Sequence, residues 1–161
     1  MKNLLVVLFV FPLSLFAQEG FSLTEKVKSV LGFTVPTLEA EQLSKMGKVV
    51  IFDARERVEF EVSHLPNAKY LGDKDFTLKS VVSVSKTDTI VVYCTVGYRS
   101  EKIAEKLQKA GYKNVYNLFG GIFSWKNGGG KVVNSVGTET ERVHAYNKAW
   151  GIFLLKGEKV Y

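Results

Sequence analysis

Hydrophobic and polar positions divide the chain into blocks of two kinds. The first is a single apolar run, Leu4 to Ala17, interrupted only by Pro12 and Ser14 and preceded by Met1-Lys2-Asn3. A positive start, about a dozen apolar residues and a small residue before a polar switch have the form of a secretory signal. The run is short of the ~20 apolar residues of a membrane span. Cleavage is expected after Ala17, before Gln18-Glu19-Gly20, although Leu15 is an imperfect small-residue position. No cysteine follows the run, which excludes a lipoprotein anchor.

The remaining blocks alternate between helical and strand periodicity. Leu23, Val27, Val30 and Leu31 share a helical face, so residues 18–34 read as a lead-in containing a short helix. Thr37 can cap a helix running to about Met46, with Leu38, Leu43 and Met46 inward and Gly47 as the stop. Val49-Val50-Ile51-Phe52 is a continuous apolar run of strand length, the pattern of a strand buried on both faces, and Asp53 closes it. Glu56 to Val62 reads as a short helix, Ser63 to Asn67 as a turn, and Ala68 to Leu71 as a short strand. Asp75 to Val84 reads as a helix. Thr89-Ile90-Val91-Val92-Tyr93 is a second buried strand with Cys94 at its C-terminal end. A helix then starts near Arg99 or Ser100, with Ile103, Ala104, Leu107 and Ala110 inward, and ends at Gly111. Asn114 to Leu118 is a further strand, Gly120 to Trp125 opens a last short helix, and residues 127–130 form a glycine-rich exit. In residues 131–161, Val143, Tyr146, Ala149 and Trp150 fit one helical face, and Ile152 to Leu155 are apolar enough to dock. Strands alternating with helices predict an α/β fold with a mostly parallel sheet. The organisation expected is a signal at 1–17, a lead-in at 18–34, a domain at 35–130 and an extension at 131–161.

Composition narrows the chemistry. The chain has 161 residues, 24% charged and 46% hydrophobic, which is ordinary for one globular domain. It has two histidines and one cysteine, which excludes an internal disulfide, cysteine-rich zinc sites and, nearly, a histidine-based metal site. No metal or cofactor is implied. The net charge is +6, and loss of Lys2 with the signal lowers it by one. Lys102, Lys106 and Lys109 fall on the solvated face of a helix without interleaved aromatics, so nucleic-acid binding is not indicated. No stable membrane span is expected once the signal is removed.

An unpaired cysteine in an exported protein asks for an explanation. In parallel sheets, ligands bind beyond the carboxyl ends of the strands, where Cys94 falls. Amides of a loop leading into a helix converge there, and the helix dipole with Arg99 adds positive potential. Such a cradle favours an anion, and the anion can be a cysteine thiolate. Gly97 suits a sharp turn with no side chain in the bowl. A buried, inert thiol is the alternative.

Four segments in order, over about residues 35–130, resemble the rhodanese family of sulfurtransferases. They are Ile51 to Glu56 with Glu59-Phe60, Ser63 to Ala68, Val91 to Ser100, and Val115 to Leu118 followed by Gly120-Gly121-Ile122 and Trp125. The resemblance implies a rhodanese-like α/β sandwich around a five-stranded parallel sheet. It implies Cys94 as nucleophile, a persulfide intermediate, and a cradle of Thr95, Val96, Gly97, Tyr98, Arg99 and Ser100, with Arg99 drawing in the anionic donor. The donor would be a small sulfur anion such as thiosulfate, and the acceptor cyanide, a thiol or a protein. Asp53 and Arg55 are expected to form a turn-ordering salt bridge, His64 a turn-stabilising hydrogen bond, and Trp125 core packing. Ser63 stands where the family usually has glycine. His144 carries no partner signal. A cysteine-dependent phosphatase or arsenate reductase uses a loop one residue longer between cysteine and arginine than the four residues found here, and Tyr93 replaces the histidine common there. A persulfide carrier with little turnover of its own is the alternative function; thiol redox sensing lacks a resolving cysteine.

Overall fold

A computed structural model describes residues 22–161; the expected signal at 1–17 lies outside the described residues. In chain order the elements are α1 (Leu23–Val30), β1 (Thr37–Leu38), α2 (Ala40–Ser44), β2 (Val50–Asp53), α3 (Arg57–Val62), β3 (Lys69–Tyr70), β4 (Thr89–Tyr93), α4 (Tyr98–Lys109), β5 (Asn114–Leu118), α5 (Gly121–Asn127), β6 (Val132–Val133), β7 (Glu139–Thr140), β8 (Arg142–His144), α6 (Lys148–Gly151) and β9 (Glu158–Val160).

The main sheet has five strands in the order β1-β5-β4-β2-β3, every pair parallel. β4 lies at its centre, and Ile90 to Tyr93 are fully buried, as a continuous β-branched run between two layers of helices requires. One layer of core packs Val91, Tyr93, Leu118 and Ile122 with Leu43 and Val27; the other packs Val92, Ile90, Ile103 and Leu107 with Phe52 and Val81.

Three expectations are corrected. Thr37 does not cap a helix: Thr37–Leu38 is the fifth strand, and the helix begins at Ala40. Pro36 biases its predecessor to extended backbone, and β5 takes up the segment, with Asn117 N donating to Pro36 O and Phe119 N to Leu38 O. Residues 75–84 hold only a 3-10 turn, Leu78–Val81: the backbone bonds there run three residues back, Val82 N to Lys79 O and Val84 N to Val81 O, and Tyr112 Oη donates to Val81 O at 2.7 Å. The apolar positions of the extension do not lie on one helix. Val143 belongs to β8, which pairs in parallel with β9, and Tyr146 has a positive φ of 63°, which stops helical continuation. Only α6 is helical there, capped by Asn147 Oδ1 accepting from Trp150 N at 3.0 Å.

The extension packs on the domain through Val143, Ala145, Phe153 and Leu154, all buried, while Ile152 and Leu155 face outward. Ser63 Oγ donates to Arg142 O, and Asn127 Nδ2 donates to Phe153 O at 2.9 Å. At the other end of the chain, buried Glu101 accepts from Gly32 N at 2.9 Å and Thr34 N at 3.0 Å, tying the exit of α1 to the first turn of α4. Among the described residues no helix is long and apolar enough to cross a membrane.

Candidate active site

The site is built where β4 ends. Cys94 leaves the strand, residues 95–97 turn, and Gly97 enters α4 with φ +113°, a conformation glycine adopts without strain. The turn folds the chain back so that Gly97 N donates to Cys94 Sγ at 3.1 Å. The sulfur thus sits at the N-terminal end of a 12-residue helix, the positive end of its dipole. Cys94 is buried, yet with Thr95, Val96, Tyr98 and Arg99 it lines a cavity of about 460 Å³.

The carbonyls at the start of the loop are satisfied from outside it. Ile122 N donates to Cys94 O at 2.9 Å and Phe123 N to Thr95 O at 3.3 Å, so the first turn of α5 grips the outer edge of the loop. That grip requires glycine at position 121, where φ is +51° and an added Cβ would lie 2.2 Å from Cys94 O. Gly121→Ala therefore forces the loop and α5 apart. The expected result is a loss of about 2–3 kcal/mol in urea unfolding, from strain plus overpacking.

Ser100, grouped with the cradle from sequence, turns away from the cavity. Its hydroxyl donates to Asn117 Oδ1 at 2.7 Å, and Asn117 Nδ2 donates to Gly97 O at 3.0 Å. A buried asparagine of β5 thus fixes the loop from behind. Nothing local in the sequence marks Asn117, because its partner is brought by the β4–β5 pairing.

Arg99 is in the cavity wall but is not a free charge. Its Nη1 and Nη2 donate to the two oxygens of Glu59 at 2.6 and 2.9 Å, a bidentate pair, and Nη2 also donates to Thr95 Oγ1 at 2.9 Å. Burial disfavours each of these charges, but their mutual hydrogen bonds outweigh it. Glu59 is held below the ordinary carboxylate range, and Arg99, with Cys94 adding to the Glu59 effect, above the ordinary guanidinium range. Glu59 belongs to the segments that carry the family resemblance, but its part in the site comes only from α3 docking against the loop.

The supporting residues lie behind the sulfur. Asp53 and Arg55 form a fully buried ion pair, Nη2 to Oδ2 at 2.6 Å, and Arg55 Nη2 also reaches Ser63 O. Tyr93 Oη donates to the same Asp53 oxygen at 2.6 Å and accepts from Leu65 N at 3.1 Å. Burial first, then the Asp53 charge, push the Tyr93 phenol well above its ordinary value, so it stays a neutral donor. His64 Nδ1 lies 3.0 Å from Phe60 O, its ring stacks on Phe60 at 3.8 Å, and its backbone pairs with Val133. Trp125 packs on the core and donates from Nε1 to Lys131 O at 2.8 Å. His144 Nδ1 accepts from Tyr146 N at 3.1 Å, and burial lowers its pKa. Six further residues line the cavity that sequence reasoning did not place there: Val30 from α1, Glu56 at the start of α3, Asp73 and Lys74 after β3, and Tyr146 and Trp150 from the extension. Among the described residues no cluster of His, Cys, Asp and Glu is placed to hold a metal ion.

A parallel five-stranded sheet with one cysteine at the end of its central strand, cupped by the loop into the next helix, defines a cysteine-centred α/β domain. The sequence model of the rhodanese-like domain matches residues 37–128, and the chain belongs to that family. The chain is 36% identical over 89 residues to the thiosulfate sulfurtransferase GlpE of Coxiella burnetii, a match covering 55% of this chain and 82% of that one. It is 38% identical over 82 residues to the tRNA uridine(34) hydroxylase of Aster yellows witches'-broom phytoplasma, covering 48% of this chain and 27% of the hydroxylase. The solved rhodanese-like domain of an Anabaena protein shares the fold, with a TM-score of 0.58 and 24% identity over 63% of this chain and 81% of the other.

Proposed function

We propose that the protein is a sulfurtransferase working through a persulfide on Cys94. The observation that carries this reading is Cys94 Sγ accepting from Gly97 N at 3.1 Å on the floor of an open cavity, at the head of α4. The Cys94 thiolate attacks the outer sulfur of an anionic donor such as thiosulfate. The sulfur–sulfur bond of the donor breaks and sulfite leaves with its electron pair, while Cys94 carries the transferred sulfur as a persulfide. Cyanide or a thiolate then attacks that outer sulfur, and Cys94 departs as thiolate, ready for another cycle. The loop amides stabilise the negative sulfur in both half-reactions. The relationship to a thiosulfate sulfurtransferase over most of its length supports the same chemistry.

Intact-protein mass after incubation with thiosulfate tests the reading. The expected result is an added mass of one sulfur atom that disappears on addition of cyanide and never forms on Cys94→Ser protein. An unchanged mass in the wild-type chain would overturn it. Persulfide that forms but passes slowly to every small acceptor would assign the protein to sulfur carriage with little turnover of its own.

A further inference from the structure

The cavity above Cys94 is larger and less polar than a small inorganic sulfur anion needs. Its volume of about 460 Å³ is in the range of pockets that enclose organic ligands, roughly 300–1,000 Å³. The family match ends at residue 128, yet part of the wall comes from outside it: Val30 on α1, and Tyr146 and Trp150 in the extension. Tyr146 is placed there by backbone in the left-handed region, and its ring stands 5.2 Å from the Arg99 guanidinium carbon. Trp150 lies against Phe153, with ring centroids 6.0 Å apart. Both aromatic residues thus belong to backbone outside the rhodanese-like domain, and Lys26 of α1 lies 5.3 Å from the Trp150 ring.

Charge at the cavity points the same way. Arg99 is neutralised by Glu59 in a bidentate pair, and Lys74 by Glu56 at 2.6 Å. Of the charged residues lining the cavity, Asp73 alone has no ion-pair partner among the described residues, and its sign is negative. A cavity with an apolar, aromatic wall and no unpaired cation among its lining residues suits an uncharged organic body better than a second anion.

We propose that the extension makes the sulfur-acceptor site selective for organic thiols with an apolar, ring-sized body, which lies against Tyr146, Trp150 and Val30 while its sulfur reaches the Cys94 persulfide. This rests on the sulfur-transfer reading above. In the step, the acceptor thiolate attacks the outer sulfur of the Cys94 persulfide. The bond between that sulfur and Cys94 Sγ breaks, Cys94 leaves as thiolate, and the acceptor departs as an organic persulfide anion that keeps the outer sulfur's negative charge. No oxidant or reductant is consumed.

The test uses the full chain, loaded with thiosulfate and freed of excess donor, and two neutral thiols of similar acidity, benzyl mercaptan and 2-mercaptoethanol. The expected second-order transfer rate is about tenfold higher for benzyl mercaptan, the size of one good aromatic contact, and the ratio falls severalfold in Trp150→Ala and in Tyr146→Gly. Glycine suits the φ of 63° at position 146, so the second variant removes the ring without straining the fold. A ratio near one in the wild type, or one unmoved by both variants, overturns the proposal. Calorimetric titration of Cys94→Ser protein with benzyl mercaptan separates this outcome from failure of the sulfur chemistry. Saturable binding weakened by Trp150→Ala, in a chain whose wild type forms no persulfide, sinks the sulfur-transfer reading and leaves the pocket standing. Absence of binding sinks the pocket.

Discussion

On the proposed sulfur-transfer chemistry, Cys94→Ser is expected to lower thiosulfate:cyanide turnover by at least about 10³-fold, the scale seen when a covalent nucleophile is removed from an otherwise intact site. The substitution is nearly isosteric. A serine Oγ can accept from Gly97 N as Sγ does, and the carbonyl of residue 94 keeps its bond from Ile122 N. Urea unfolding should therefore stay within about 1 kcal/mol of the wild type, because no buried group loses a partner. Chemistry is lost for a different reason. A hydroxyl is not appreciably ionised at neutral pH, and its oxygen is a far weaker nucleophile toward sulfur than a thiolate. The informative pair of measurements is thiocyanate formation beside the unfolding midpoint. Turnover above about one per cent of the wild type in a folded serine variant would remove Cys94 from the reaction, since background chemistry alone does not reach that level. Loss of turnover accompanied by unfolding would mean that the thiol is instead a packing residue.

Much of this site was legible in the chain because its parts are contiguous. A strand, a cysteine, a short loop with glycine and a helix are read from one stretch, Thr89 to Ala110, and the structure places them as that order implies. The buried pair of Asp53 and Arg55 was legible for the same reason, two residues apart at a strand end. The groups that make the cradle stiff were not. Glu59, Asn117 and the first turn of α5 come from separate segments, and their roles arise only when α3, β5 and α5 are packed around the loop. The Arg99 charge illustrates the consequence. Read locally it attracts an anion, but a carboxylate 40 positions earlier in the chain compensates it. The fifth strand was hidden because two residues, Thr37 and Leu38, carry no periodicity, and edge pairing with β5 overrides their local preference. The extension was misread in a related way. Val143, Tyr146, Ala149 and Trp150 do have helical spacing, but the pairing of β8 with β9 and the φ of Tyr146 divide them between a strand, a turn and a short helix.

Asp53→Ala is expected to be the most destabilising single substitution in the domain, by about 3–5 kcal/mol, because it leaves a buried charge uncompensated. Asp53 and Arg55 have no exposed side-chain surface, so water cannot replace either partner. Burial by itself disfavours the Arg55 cation, and the adjacent Asp53 charge outweighs that effect and holds the guanidinium protonated. The carboxylate does more than pair with Arg55. Oδ1 accepts from Arg55 N at 2.9 Å, and Oδ2 accepts from Tyr93 Oη at 2.6 Å. Truncation therefore strands a guanidinium, a backbone amide and a phenol at once. A loss of this size is a large fraction of the ~5–15 kcal/mol by which domains are stable. It should lower the thermal midpoint by roughly 10 °C, at about 2–4 °C for each kcal/mol in a chain of this length. Asp53→Asn is the discriminating control. The amide keeps the shape and an acceptor oxygen but not the charge, so it should fall between the wild type and alanine. Tyr93 is the residue immediately before Cys94, so the damage extends to the site. Its ring is anchored by Asp53 on one side and Leu65 N on the other, and freeing it lets the end of β4 move beneath the sulfur. Persulfide formation in whatever Asp53→Asn protein remains folded should be slower than in the wild type. Unfolding of the alanine variant within about 1 kcal/mol of the wild type would show that the pair does not hold this end of the sheet.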